Sequence, residues 1–203
     1  TLTFIAMLNP EQFNNVTLLA ANIEQSLLYK WFSRFYNVNF TRHNELCNAL
    51  RFISHPKELG SRITLQYFLD EQHYSKYRRD SVATDANGTV GELMDELALT
   101  TLKERAFLYV NNNDYASPLL KLEANAEQLP VKAHGMNCYQ HYTAIYFNVA
   151  LNNTPAHVAL LNGLGLTDND IKIANTFETI YQCVMRTALR DANSNERVNV
   201  IVP

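Results

Sequence analysis

A chain of 203 residues has room for one large domain or two small ones, and for a real core. Its 47% hydrophobic and 18% charged content is that of a globular protein, and a net charge of −3 excludes a global basic field, though not a local positive groove. The three cysteines (Cys47, Cys138 and Cys183) are scattered without a C-x-x-C pair, which excludes a zinc ribbon or disulfide framework and suits a reducing cytoplasm. No apolar run approaches the roughly 20 residues that span a bilayer, and no signal-peptide pattern opens the chain. Both ends read as internal to a longer protein. The first residues already lie inside an apolar segment, and the last alternate β-branched residues as a strand does.

Residues 16–21 form a short apolar run entering Asn22 and read as a buried strand. Residues 26–35 follow with helical spacing of Leu27, Leu28, Trp31, Phe32 and Phe35. A strand is expected over 62–69, and a loop over 80–91, where Asp, Asn, Gly, Ser and Thr dominate. Lys76, Arg78 and Arg79, interleaved with Tyr74 and Tyr77, are taken as part of a solvated loop. Residues 92–104 are an amphipathic helix with Leu93, Leu97 and Leu102 as buried candidates. Residues 105–110 are a strand ending in the polar run Asn111-Asn112-Asn113-Asp114. Ser117 and Pro118 mark a helix start. A short strand is expected over 129–132, another strand over 143–149, and a helix over 155–162 that stops before Gly163 and Gly165. One or two helices over 168–190 then lead to the final strand. Strands alternating with helices argue for an α/β layer with a mainly parallel sheet flanked by helices, in which ligands bind beyond the carboxyl ends of strands.

Three patterns bear on chemistry. None of the six glycines opens a phosphate-binding loop followed by Lys and Ser or Thr, so the chain carries no Walker A motif. Asp70-Glu71-Gln72-His73 spells a helicase metal-and-water box, but with no phosphate loop upstream it reads as a polar loop leaving a strand. Near the end, Glu178, Gln182, Arg186 and Arg190 recur every four residues. On one helix they would form a polar stripe able to hold guanidinium groups over a phosphate chain. His134, Gly135 and Asn137 stand in a turn before a strand, and no second histidine at metal spacing supports a metal site there.

In this linear order the chain resembles the C-terminal half of a superfamily 2 DNA/RNA helicase. Thr17-Leu18-Leu19-Ala20-Ala21-Asn22 is similar to the coupling motif that ends the first RecA-like domain. Arg105 to Asn113 is similar to the strand and turn that open the second, and Lys132 to Tyr139 stands where the family's fifth motif stands. Gln182, Arg186 and Arg190 resemble the sixth motif, usually Gln-x-x-Gly-Arg-x-x-Arg; here Met185 replaces the glycine and Arg190 comes one residue late. The resemblance implies a RecA-like fold, with residues 1–60 as the end of the first domain or an extension and residues 61–203 as the second domain. It implies an ATP-dependent helicase or translocase whose phosphate loop and metal-binding carboxylates lie outside this chain, so that ATP and Mg2+ belong to the parent protein and the chain alone is not ATPase-competent. Arg186 and Arg190 would be arginine fingers assisted by Gln182. Asn112, Asn113, His134, Gly135 and Asn137 would contact single- or double-stranded nucleic acid, DNA rather than RNA. The alternative is a non-catalytic α/β module that binds nucleic acid or protein.

Overall fold

The computed structural model describes residues 12, 15–18, 20, 22–49, 57–70, 73–84, 88–133, 135–191 and 193–203. Five strands form one sheet: β1 (Ile63–Tyr67), β2 (Phe107–Asn111), β3 (Ala126–Gln128), β4 (Ala144–Asn148) and β5 (Val198–Val202). Their order is β1-β5-β4-β2-β3 and every pairing is parallel, so the expected α/β layer is the fold. β2 and β4 are buried along their whole lengths, as central strands of a parallel sheet must be. The edge strand β1 is exposed throughout.

Alternation within the strands sends side chains to two faces. On one, Leu108, Val110, Ile145, Phe147, Val198 and Val200 pack with Cys183 and Val184 of helix α8 (Glu178–Val184) and with the connection that follows β3. On the other, Phe107, Tyr109, Tyr146 and Ile201 pack with Met94, Ala98 and Leu102 of helix α4 (Val90–Leu102). Thr89 and Glu92 close a full capping box at the start of α4, satisfying two orphan amides. Ser117 caps helix α5 (Pro118–Leu122) as its position before Pro118 predicts.

A third cluster docks the N-terminal segment. Helix α1 (Leu27–Phe35), capped by Ser26, sets Leu27 and Trp31 against Leu161, Leu166 and Ile171. These come from helices α6 (Pro155–Gly163) and α7 (Asp168–Lys172) and the turn between them. Asp170 of α7 anchors α1 by accepting from Arg34 Nη1 at 2.5 Å and pairing with Lys30 Nζ at 3.0 Å. A π turn (Ile173–Phe177) joins α7 to α8.

Several expectations are corrected. Residues 15–18 form no strand, and Val16 and Leu18 lie on the surface; Leu19 and Ala21 lie outside the described residues. The strand expected over 129–132 sits earlier as β3, because Leu129 donates to the Tyr109 carbonyl only as the chain leaves the ladder. Lys76, Arg78 and Arg79, expected in a solvated loop, lie on helix α3 (Lys76–Asp80), capped by Ser75; helix α2 (Asn44–Ala49) stands in a stretch for which no element was expected. The inward face of α4 is Met94, Asp95, Ala98 and Leu102, which leaves Leu97 exposed. Among the described residues, no helix is long and apolar enough to cross a membrane.

Candidate functional site

The Gln182–Arg186–Arg190 stripe does not exist as a helix face. Helix α8 ends at Val184, and Met185 leaves it with ψ near zero. The next two amides bond three residues back, Arg186 N to Cys183 O and Thr187 N to Val184 O. Thr187 breaks the helix: its hydroxyl donates to the Val184 carbonyl, and its extended backbone starts the 3-10 turn Ala188–Arg190. Gln182 faces elsewhere, donating to Glu178 Oε1 at 2.7 Å, while Glu178 Oε2 accepts from Asn22.

The tight turn has a consequence for Arg186. Its side chain is buried, only 8% exposed, and Nη1 donates to Asn137 Oδ1 at 3.1 Å. Nε has no hydrogen-bond partner, and no carboxylate forms an ion pair with the guanidinium among the described residues. Burial pulls the guanidinium below its ordinary pKa, and the positive charge of Arg190 pushes in the same direction. Arg62 donates to three carbonyls around the same turn, those of Ala188, Asp191 and Glu196, and forms no ion pair among the described residues. The guanidinium is thus buried with no acid paired to it among the described residues, and a second arginine raises the positive potential around it.

This turn stands at the amino ends of the strands. Ala188 N donates to the carbonyl of Tyr142, two residues before β4. Asn112 and Asn113 follow the carboxyl end of β2, a strand's length away, about 15 Å. The structure therefore brings Asn137 to Arg186 but not Asn112 or Asn113. Asn112 is committed internally, accepting from Ala150 N at 2.8 Å and donating to Ala150 O at 3.1 Å. Asn113 is exposed, as is Gly135, whose φ of +76° suits glycine. His134 lies outside the described residues, as do Glu71 and Gln72 of the acidic box.

The carboxyl edge carries a polar system that the sequence reading missed. The chain order reverses between β2 and β4, where open parallel sheets hold ligands. Here that crevice is filled. Asp95, fully buried, accepts from Tyr115 at 2.7 Å and from Tyr146 and Asn148 at 2.8 Å each. Tyr74 donates to Asn148 Oδ1. Arg79 lies over the Tyr115 ring at 4.7 Å and bonds Asp80 and Asn112. Gly91 permits this approach, since a Cβ there would stand 2.7 Å from Arg79 Cγ. Burial drives the Tyr74, Tyr115 and Tyr146 phenols up, with Asp95 adding to each. The only trace in the sequence is an acid on the inward stripe of α4, at Asp95 between Gly91 and Ala98.

One strand over, the edge is open. A cleft of about 480 Å³ lies beyond β4 and β5, walled by Val149, Val202 and Ile180 and rimmed by Asn152, Lys172 and Phe177. Among the described residues, no group of three or more His, Cys, Asp or Glu side chains could hold a metal ion. No protein-family model, curated protein or solved structure matches this chain.

Proposed function

We propose that this chain is the C-terminal RecA-like half of an ATP-dependent nucleic-acid helicase or translocase, in which Arg186 is the arginine finger. The observation that carries the reading is the Arg186 guanidinium: buried, one N–H unpartnered, and faced by Arg190 rather than by an acid. Such a group is destabilising in isolation and is relieved by an incoming anion. The all-parallel sheet flanked by helices supports the reading as the scaffold it requires.

On this reading, ATP bound by a preceding domain supplies the phosphoryl group, and Arg186 neutralises charge that develops on it. Asn137 holds the guanidinium plane by accepting from Nη1, so it acts as a positioning residue rather than a strand contact. Arg190, exposed on the 3-10 turn, raises the local positive potential. Gln182 takes no part at this turn, because its amide is held by Glu178.

The test has two parts. This chain alone should show no ATP turnover, with or without single-stranded DNA; robust turnover would overturn the assignment. In a longer protein that includes the nucleotide-binding domain, Arg186→Ala should lower hydrolysis by roughly 10³-fold while nucleic-acid affinity changes less than about twofold. A second reading, a non-catalytic interaction module, is favoured by the internal commitment of Asn112 and Gln182. It predicts no effect of Arg186→Ala on any nucleotide-dependent step.

A further inference from the structure

We propose that the cleft beyond β4 and β5 binds a nucleoside phosphate, with the base stacked on Phe177 and the phosphate at Lys172. The site stands at the opposite end of the sheet from Arg186 and does not depend on the role given to that residue.

Position is the first argument. The switch-point crevice of this sheet is closed by Asn112, Asn148 and their partners, so the open carboxyl edge lies over β4 and β5. A volume near 480 Å³ is in the range of small-molecule sites, and the cleft has the usual mixture of apolar wall and few polar groups.

Its chemistry is the second. Phe177 is 50% exposed, a large aromatic side chain beside an apolar wall of Val149, Ile180 and Val202. Lys172 Nζ lies 5.5 Å from that ring centroid and forms no ion pair among the described residues. Lys172 Nζ stands over the ring itself, so a base stacked on Phe177 would lie beside the cation that takes its phosphate. Asp168, an acid that also lines the cleft, accepts from Asn162 Nδ2 at 3.0 Å, and Lys172 supplies a cation that a phosphate would meet there.

Amides are the third. Asn152, Asn153 and Asn175 all line the cleft, and each carries both a donor and an acceptor, as the edge of a base requires. Asn152 is oriented by donating to the Tyr74 carbonyl at 3.0 Å, which leaves its oxygen free to accept. The side chains of Asn153 and Asn175 form no hydrogen bond among the described residues. Asn175, Thr176 and Phe177 reach the cleft together because they share the π turn, a wide turn that recurs at ligand sites.

The nucleoside phosphate can come from a free nucleotide or from one unit of a single strand. The intact 203-residue chain should be titrated with AMP and with a fluorescent single-stranded oligothymidylate, following amide chemical shifts and anisotropy. Shifts clustered at Asn152, Asn153, Lys172 and Phe177 are expected. Phe177→Ala and Lys172→Gln, both at exposed positions, should each weaken binding roughly 10-fold with the far-ultraviolet circular dichroism unchanged. A strand that binds with steep salt dependence and is competed by AMP identifies the polymer as the source; AMP binding without strand binding identifies the free nucleotide. If neither probe shifts these amides, or if both variants bind as tightly as the parent chain, the proposal fails.

Discussion

Arg186 reaches Asn137 across 49 residues of chain, and the bond between them at 3.1 Å joins a buried cation to a neutral amide. Most buried arginines meet a carboxylate, which compensates the cost of leaving water. Here the acceptor is uncharged, and the charge of Arg190 acts on the guanidinium repulsively.

A buried charge without a counter-ion should be dispensable for folding. Arg186→Met, which keeps the volume and removes the charge, is expected to leave stability unchanged or raise it by about 1 kcal/mol. Urea unfolding measures this directly. Inorganic pyrophosphate should raise the melting temperature of the unmodified chain and not that of the variant. A loss of several kcal/mol would mean that Arg186 is a structural clamp.

Supplying the missing acid should have the opposite signature. Asn137→Asp places a carboxylate against Nη1 and should stabilise the fold by about 1–2 kcal/mol at neutral pH, as hydrogen bonds to charged partners do. The new carboxylate is favoured in its ionised form, so its folded pKa lies below the unfolded value. The gain is present above about pH 4 and disappears as the pH falls through the folded value. The same variant should abolish the pyrophosphate effect by occupying the guanidinium.

The carboxyl edge responds differently, because Asp95 is the common acceptor for the buried Tyr146 and Asn148 and the half-buried Tyr115. Asp95→Ala strands the hydroxyls of Tyr115 and Tyr146 and the amide of Asn148 together. A cost of about 3–5 kcal/mol is expected, read as a fall in melting temperature of roughly 6–20 °C for a chain of this size.

Docking of α1 should be acid-sensitive. The Asp170 carboxyl is held far below the usual carboxylate range, first by the hydrogen bond from Arg34 and then by Thr167 and Lys30, against the opposing penalty of burial. A depressed folded pKa contributes stability that is complete above the unfolded value, about 4, and is lost as the pH falls through the folded one. Trp31 fluorescence should report release of α1 in that acid window. Asp170→Asn should release it at neutral pH, at a cost of about 2–4 kcal/mol; the lower bound reflects Arg34, which is half exposed and screened by solvent.

Local chemistry was easy to read. Strands β1, β2, β4 and β5 announce themselves by β-branched and aromatic runs, and Ser26 and Ser117 are caps that sequence position alone identifies. What failed was spacing without a hydroxyl: the four-residue rhythm from Glu178 to Arg190 assumed a continuous helix, and Thr187 ends it. The fully buried Asp95 network was equally hidden, because its bonds join residues 20 to 53 positions apart. The cleft escaped for the same reason. Asn152 and Asn153 look like a turn until the π turn and the end of β5 are set beside them.

That π turn also sets rotational phase. A residue advances an α-helix by about 100°, and the wider turn absorbs a residue's worth of rotation between α7 and α8. Ile171 and Asp170 can thereby face α1 while Cys183 and Val184 face the sheet. Deleting one residue here would restore a continuous helix and swing one of these two faces out of register. The N-terminal attachment and the arginine turn are thus geared through the five residues of one turn.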